Sequence, residues 1–304
     1  MEKVELWHGR YDGDAKEDLR LWQVVRPYVE KKAQGGICFV GYDTDEGIER
    51  NKGRKGAALG SNAIRQAMQS LPYFGNVQLF DCYNLTHKKT EEAQAEYAGK
   101  VAQVLRDKML PVGLGGGHDI AFGSYTGIRQ VYGQEKLGLV NIDAHLDMRD
   151  YSQGRTSGTS FKEIMDGDRN AFYANVGFKK QGNTARLMAE AEKHKALILP
   201  EALDEKEMLE GVRKFAQEVD LLYITFCMDV FDVCYAPGVS APTVMGMAPR
   251  RGRAILRELL STQKVVCVDF AEVSPPYDFD GRTARLAATL AYEVLTYFTE
   301  QEGK

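Results

Sequence analysis

The sequence predicts an α/β protein built on a mainly parallel β-sheet. Eight strand-like apolar runs alternate with stretches in which apolar residues recur at helical spacing. Several of these runs are apolar at consecutive positions, as in sheets that helices cover on both faces. Side chains of metal-binding type follow three of the runs, and open α/β sheets bind ligands at the ends of their strands. Repeated βα units are compatible with an open sheet and with a closed barrel.

The strand-like runs are spread along the whole chain. They occupy residues 37–43, 77–85, 109–114, 137–143, 172–178, 196–200, 220–230 and 264–270. Ahead of the first run, residues 15–33 carry apolar side chains at helical spacing and predict a helix. The glycine-punctuated segment 44–60 predicts a long loop, and loops of this length inside a compact domain tend to be functional.

The composition is that of an ordinary globular protein, with 304 residues of which 44% are hydrophobic and 27% charged. Because no linker or low-complexity tract divides the chain, residues 1–304 are expected to form one domain. The net charge of -4 argues against a nucleic-acid partner. No run approaches the roughly 20 apolar residues of a membrane span, and the first residues lack the apolar segment of a signal peptide. We therefore expect neither nucleic acid nor membrane as a partner.

The cysteines indicate a reducing environment. There are five, an odd number, dispersed along the chain and never in a CxxC pair. Three lie in strand-like apolar runs, where buried free thiols are common. This pattern is typical of a cytoplasmic protein.

A cluster of ligand-type residues stands in the stretch VNIDAHLDMR, residues 140–149. Asp143, His145 and Asp147 are spaced two residues apart directly after an apolar run. In an extended backbone alternate side chains share a face, so at least the first two point the same way at the end of the strand. Two carboxylates and an imidazole in this arrangement suggest a metal site.

Two further stretches are expected to complete this site. His118 follows a glycine turn after the run 109–114, and Cys227 and Asp229 form another pair two residues apart. Carboxylate together with imidazole suits Mn, Fe, Ni, Co or Zn better than Ca or Mg. Taken singly, each stretch is compatible with a purely structural role. Their occurrence at three strand ends favours a shared metal site.

Other kinds of site fit these residues less well. A dinucleotide-binding GxGxxG fails because His118 occupies the last glycine position. A calcium loop starting at Asp143 would have His145 at its third position and Gly154 where a glutamate belongs. No GxSxG elbow is present, and Cys227 as a nucleophile would need an activating base beside it. Glu272 follows the last strand-like run, where it would bind a cationic substrate or serve only as a loop acid.

With these residues identified, the sequence resembles the arginase/agmatinase/formimidoylglutamase (ureohydrolase) superfamily over nearly its whole length. The motifs that carry the resemblance are GGGHD (115–119), DAHLD (143–147) and TFCMDVFDVCYAPG (225–238). The resemblance implies a three-layer α/β/α sandwich with an open, mainly parallel sheet of about eight strands, and so disfavours the barrel. It also implies two divalent metal ions, Mn foremost, with Zn, Fe, Co or Ni as alternatives. One ion would be held by His118, Asp143 and Asp147 and the other by Asp143, His145 and Asp229, with Cys227 as a second bridge.

Within the superfamily, several stretches are most similar to the formimidoylglutamase branch. They are WHGRYD (7–12), DEGIERNKGRKGAALG (45–60), DAHLDMR (143–149), TSGTSF (156–161) and APGVSAP (236–242). The branch implies hydrolysis of N-formimidoyl-L-glutamate to L-glutamate and formamide, a late step of histidine degradation. It also implies a homo-oligomer, commonly trimeric or hexameric.

The resemblance also suggests roles for individual residues. Glu272 would pair with the formiminium cation, and Asp229 or a neighbouring acid would carry a proton to the leaving amine. Arg149 is a candidate clamp for the glutamate carboxylates, because Arg suits bidentate carboxylate recognition, although a salt bridge with Asp150 would explain it equally well. Arg54 and Asn183 are further candidates for substrate binding.

Two departures from the superfamily pattern keep other functions open. Cys227 stands where the superfamily most often has a bridging Asp, and a thiolate favours softer metals than Mn. Ser157 replaces the His that arginases and agmatinases carry, which disfavours those two activities. The alternatives are another guanidino or amidino hydrolase of agmatinase or arginase type, and a metal-poor pseudoenzyme with a structural or regulatory role.

Overall fold

The computed structural model describes residues 6–32 and 34–302. Nine strands of these residues join one sheet in the order β1-β3-β2-β4-β9-β8-β5-β6-β7, and every neighbouring pair is parallel. The strands are β1 Arg26–Pro27, β2 Ile37–Gly41, β3 Leu79–Asp81, β4 Leu110–Leu114, β5 Leu137–Ile142, β6 Ala171–Phe178, β7 Leu197–Pro200, β8 Leu221–Cys227 and β9 Val265–Ala271.

Helices cover both faces of this sheet. They are α1 Leu21–Val24, α2 Glu46–Arg50, α3 Gly60–Met68, α4 Thr90–Arg106, α5 Ile120–Tyr132, α6 Ser160–Gly167, α7 Ala185–Lys193, α8 Glu205–Gln217, α9 Pro249–Ser261 and α10 Arg282–Glu302. One buried cluster joins α3, α8, α9 and α10 to the sheet, and a second joins α4, α5, α6 and α7 to its other face. The predicted open α/β/α sandwich is therefore confirmed.

The consecutive apolar residues of the strands follow from this layering. In β5, Leu139 belongs to one buried cluster and the next residue, Val140, to the other. Successive side chains of a strand point to opposite faces, so a strand covered on both sides must be apolar throughout. None of the described helices is both long enough and apolar enough to cross a membrane.

Two predictions of secondary structure were wrong. The helix expected over residues 15–33 is reduced to a 3-10 turn at Lys16–Asp18 and the single turn of α1, followed by β1, a ninth strand. Pro27 disfavours helical backbone in the residue before it, and the backbone N–H of Leu21 donates to the carbonyl of Leu71 instead of a helical partner. The segment 44–60, expected to be a loop, contains α2 and a 3-10 turn.

The sheet order brings the ligand-type residues together. The central strands β4, β9, β8 and β5 are neighbours, and because they are parallel their carboxyl ends lie at one edge of the sheet. His118 follows β4, Asp143 follows β5, Cys227 ends β8 and Glu272 follows β9. His118 and Glu272, which are 154 positions apart in the sequence, therefore meet at this edge.

Candidate metal centre

A glycine turn after β4 delivers His118 to the site. Gly115 and Gly116 have φ angles of 85° and 68°, which lie in the left-handed region that favours glycine. A Cβ on Gly115 would come within 2.2 Å of the backbone nitrogen of Ser61, at the start of α3. Only glycine fits here, so the backbone can turn tightly and place the imidazole of His118 over the end of β8. There its Nε2 lies 3.1 Å from Oγ1 of Thr225, a contact that fixes the ring orientation.

Two asparagines hold the loop that carries the DAHLD residues. The Asn183 side chain accepts a hydrogen bond from the backbone N–H of Leu146 and donates to the carbonyls of Ala144 and Lys179. Asn175 donates to the carbonyl of His145 at 2.7 Å. Because both ends of the Asn183 amide are engaged with backbone, the structure gives this residue a role in shaping the loop, and its contact with substrate stays a prediction.

The predicted ligands converge at the carboxyl edge of the sheet. Nδ1 of His118 lies 2.9 Å from a carboxylate oxygen of Asp143 and 2.9 Å from one of Asp147. Nδ1 of His145 lies 3.3 Å from oxygens of Asp143 and Asp229. Ligand atoms of His118, Asp143 and Cys227 lie within 4.8 Å of one another, as do those of Asp143, His145 and Asp229. Asp143 belongs to both groups, which is the arrangement expected of a residue shared by two ions.

The hydrogen bonding of the cluster fits metal ions. Nδ1 of His118 and Oδ2 of Asp143 are buried 2.9 Å apart without hydrogen-bond geometry between them, and Oδ1 of Asp229 is buried without a hydrogen-bond partner. Buried polar groups are nearly always satisfied, and orphaned atoms in a polar site call for an explanation. Two divalent cations, each bound by one of the two groups, would satisfy all three atoms.

The electrostatics of the cluster also favour cations. Burial opposes the charged forms of both imidazoles, but the neighbouring carboxylates outweigh it: they raise the pKa of His118 well above its usual value and that of His145 to about 12. Burial and then Asp143 raise the pKa of Asp229 to about 6. Burial followed by the charges of Asp143 and Asp229 raises the pKa of the Cys227 thiol. Each of these shifts reflects an excess of negative groups crowded into a buried space, which bound cations would neutralise.

Glu272 lies beside the cluster in a strained backbone conformation, with a φ of 70°. One of its carboxylate oxygens accepts the backbone N–H of His118 at 3.0 Å, and the other accepts the hydroxyl of Ser240 at 2.6 Å. Burial, reinforced by Asp229, raises the pKa of Glu272 to about 8. The sequence pointed to Glu272, but not to Ser240, which orients it.

These residues line a cavity of about 270 Å³ at the carboxyl edge of the sheet. Its walls also include Arg149 and Ser157 and three residues of the segment 44–60, Asn51, Lys52 and Arg54. Arg54 donates to the carbonyls of Ser240 and Val239, and its guanidinium lies 4.2 Å from the centre of the Tyr277 ring. The structure thus gives Arg54 a role in holding the Ser240 loop. Sequence reasoning flagged the long segment 44–60 but missed Asn51 and Lys52 within it.

The parallel α/β/α sandwich and the cluster of carboxylates and imidazoles at its carboxyl edge define the class to which this chain belongs. It is a member of the Arginase family, whose model matches residues 36–296, and the resemblance found in the sequence is confirmed.

Relatives within this family cover nearly the whole chain. The sequence is 37% identical over 310 residues to the formimidoylglutamase of Geobacillus kaustophilus (strain HTA426), covering 96% of this chain and 95% of the relative. It is 38% identical over 306 residues to the formimidoylglutamase of Staphylococcus aureus (strain bovine RF122 / ET3-1), covering 95% and 97% of the two chains.

Solved structures share the fold. The formimidoylglutamase of Bacillus subtilis subsp. subtilis str. 168 superposes with a TM-score of 0.85 at 21% identity, covering 96% of this chain and 95% of that one. The Trypanosoma cruzi formiminoglutamase with Mn²⁺ gives a TM-score of 0.83 at 24% identity, covering 92% and 98%.

Proposed function

We propose that this protein is a metal-dependent hydrolase that converts N-formimidoyl-L-glutamate to L-glutamate and formamide, in the late part of histidine degradation. The observation that carries the proposal is the convergence of two groups of buried metal-binding side chains, which share Asp143, on the wall of a cavity. The near full-length similarity to formimidoylglutamases supports the choice of substrate.

Two divalent ions, with Mn as the first choice, would be held by the residues of the cluster. His118, Asp143 and Asp147 would bind one ion and Asp143, His145 and Asp229 the other, and Cys227 would bridge them through its sulfur. Bound metal lowers the pKa of a coordinated water so that hydroxide is available near neutral pH, and it polarises the reacting amidine carbon. Thr225 keeps the His118 ring in the orientation that ligation requires.

Glu272 is suited to bind the formiminium group of the substrate. Both of its oxygens already accept one hydrogen bond, from His118 and from Ser240, and each retains a lone pair for a formiminium N–H. A cation held against a buried carboxylate favours its ionised form. The Ser240 hydroxyl fixes the direction of the carboxylate and therefore the position of the reacting carbon.

Asp229 would move a proton to the leaving amine. Its carboxylate is buried, faces the cavity and has one oxygen without a hydrogen-bond partner. A side chain that transfers a proton must lie within hydrogen-bond reach of the leaving nitrogen, and Asp229 and Glu272 are both acids of the cavity wall. Arg149, on the cavity wall, would bind a glutamate carboxylate.

We also infer a cytoplasmic homo-oligomer. The cysteines Cys38, Cys82, Cys227, Cys234 and Cys267 are all free in the structure, which suits a reducing compartment. Sedimentation of the purified protein would test the oligomeric state.

The test of the proposed function is glutamate release from N-formimidoyl-L-glutamate by protein stripped with a chelator and then reloaded with Mn²⁺. Arginine and agmatine serve as parallel substrates. We expect turnover of N-formimidoyl-L-glutamate alone, lost with the metal and restored with it. No turnover of any substrate with Mn, Zn, Fe, Co or Ni would leave the fold standing and refute the hydrolase.

A Cys227→Asp variant separates the enzyme from the pseudoenzyme alternative. If the parent protein neither retains metal nor turns over substrate, and the variant gains both, the pseudoenzyme interpretation is correct. A parent protein that binds two ions per chain by elemental analysis and hydrolyses the substrate supports Cys227 as a working ligand.

A further inference from the structure

Lys52 lies on the wall of the metal cavity, outside the three motifs that carry the metal-binding residues. It directly follows the end of α2 and its C-cap, Asn51, and its backbone has a φ of 63°. A left-handed residue at this position ends many helices, and glycine usually occupies it. The turn therefore requires the conformation but not a lysine side chain.

Lys108 provides an internal comparison. It follows the end of α4 in the same way, with a φ of 57° and a backbone hydrogen bond to the residue three positions earlier, as Lys52 has. Lys108 lies at the opposite end of the sheet, beside the start of β4. The two lysines share a backbone conformation, and only Lys52 faces the cavity of the metal cluster.

The charge of Lys52 is not used within the described part of the chain. Its ammonium has no hydrogen bond or ion pair among residues 6–32 and 34–302, and the same holds for the guanidinium of Arg149. Other cations nearby are engaged: Lys55 pairs with Glu49 at 2.8 Å, and Arg54 donates to two carbonyls. Two cations on one cavity wall thus remain available to a ligand.

The contacts of Gly158 bring the segment that carries Lys52 close to Arg149. A Cβ at Gly158 would lie 3.1 Å from Nδ2 of Asn51 and 3.2 Å from Nε of Arg149. Asn51, whose amide also donates to Ser157 at 3.2 Å, therefore faces Arg149 across Gly158, and Lys52 is the next residue. The floor of the cavity is acidic, so an anionic group of a substrate is favoured only at this rim.

We propose that Lys52 binds one of the two carboxylates of the substrate while Arg149 binds the other, which makes the site selective for dicarboxylic amidines. This inference rests on the proposed function and names a determinant of its specificity. Each contact is a charge-assisted hydrogen bond at the cavity rim, lost together with its carboxylate or with its cation.

The experiment compares three substrates on wild-type, Lys52→Met and Arg149→Met protein. N-Formimidoyl-L-glutamate has both carboxylates, N-formimidoyl-4-aminobutyrate lacks the α-carboxylate, and N-formimidoyl-L-2-aminobutyrate lacks the side-chain carboxylate. For Lys52→Met we expect kcat/KM on N-formimidoyl-L-glutamate to fall by about 10- to 100-fold, mostly through KM. The same loss is expected on one of the two shorter substrates and none on the other, with the reverse pattern for Arg149→Met.

Three further variants separate binding from structure. Lys52→Arg should recover most of the lost kcat/KM, because it keeps the cation. Lys52→Gly suits the left-handed backbone, so it should lose kcat/KM like Lys52→Met while unfolding at no lower temperature than wild type. Lys55→Met removes one charge from the same segment, and Lys108→Gly makes the same backbone change elsewhere, and both should leave the kinetics unchanged.

The results distinguish a failure of the proposed function from a failure of the role of Lys52. Wild-type protein without turnover of any of the three substrates refutes the proposed function itself. Wild-type turnover with an unaltered Lys52→Met variant, or with an equal loss on all three substrates, refutes the role of Lys52 and leaves the proposed function intact.

Discussion

Two buried acids, one at the carboxyl edge of the sheet and one inside a strand, have different surroundings. Asp229 belongs to the cluster at the carboxyl edge, and Asp269 lies inside β9. Burial raises the pKa of each to about 6. Asp269 accepts hydrogen bonds from the hydroxyls of Ser124, Tyr97 and Tyr223, whereas Asp229 keeps a buried oxygen without a partner. Burial and pKa are therefore alike for these two residues, and the unsatisfied oxygen of Asp229 distinguishes them.

The largest effect that this comparison predicts is for Asp143→Asn. Asp143 contributes a ligand atom to both groups of the cluster, so we expect metal content to fall well below two ions per chain and activity to fall by at least about 1000-fold. Elemental analysis of dialysed protein measures the first, and glutamate release measures the second.

Thermal unfolding provides the control for Asp143→Asn. Wild-type protein should gain stability when Mn²⁺ is added, because the ion binds only the folded state, and the variant should not. Without metal the variant should be less stable than wild type near neutral pH, because the carboxylate of Asp143 pairs with both imidazoles and accepts the backbone N–H of His145. A variant that still binds two ions per chain and gains stability with Mn²⁺ would show that Asp143 holds no metal.

The second prediction concerns Asp269→Ala, which should lower the stability of the protein and leave its metal content unchanged. The change leaves the buried hydroxyls of Ser124, Tyr97 and Tyr223 without their acceptor. Each unsatisfied group costs about 1 to 3 kcal/mol, so we expect the free energy of unfolding to fall by about 3 kcal/mol or more. Urea unfolding measures this loss, and the metal content of the folded variant at low temperature should stay at the wild-type value. A loss of metal without a loss of stability would contradict the distinction between the two acids.

The metal cluster and Asp269 also differ in how far the sequence predicts them. Asp143, His145 and Asp147 stand at regular spacing after an apolar run, so strand geometry alone predicts that neighbouring ligands share a face. Asp269 lies in the run KVVCVDF and has hydroxyl partners from α4, α5 and β8. Those partners are assembled only by the tertiary fold, and no local spacing predicts them.

The third prediction tests how precisely the ligands of the cluster must be positioned. A Cβ at Gly182 would lie 2.8 Å from Cδ2 and 2.9 Å from Nε2 of His145, so Gly182→Ala must displace this ring. Small displacements of a ligand weaken a metal site more than they weaken a fold. We expect Mn²⁺ affinity to fall about 10-fold, with a change of less than about 1 kcal/mol in the stability of the metal-free protein. Isothermal titration measures the affinity, and Gly167→Ala, where nothing lies within 4 Å of the added methyl, is the control.

The fold was more predictable than the rim of the site. Consecutive apolar residues required a sheet covered on both faces, and the covering helices confirmed it. The role of Asn183 could not be predicted, because its contacts with Leu146, Ala144 and Lys179 depend on how two loops meet. The helix expected over residues 15–33 failed because a spacing pattern does not register that Pro27 disfavours helical backbone before it or that Leu21 has a backbone partner elsewhere.

The smallest predicted effect concerns Glu96, whose pKa is lowered, whereas that of Asp269 is raised. Burial opposes the ionised form of Glu96, but the backbone N–H groups of His87 and Thr86 donate to it and lower its pKa to about 2. A lowered pKa adds stability that is fully present above the unfolded value of about 4.3 and is lost as the pH falls through about 2. Asp269, with its raised pKa, contributes in the opposite sense: its contribution to stability is complete below about pH 3.9 and is lost as the pH rises through about 6.

The variant Glu96→Gln should therefore reduce the free energy of unfolding by about 1 kcal/mol at pH 7, since water screens this partly exposed group. The difference from wild type should shrink steadily between pH 5 and pH 2. Urea unfolding of both proteins at several pH values measures the difference, and one that is constant over this range would show that the N–H groups of Thr86 and His87 bind the neutral acid as well as the carboxylate.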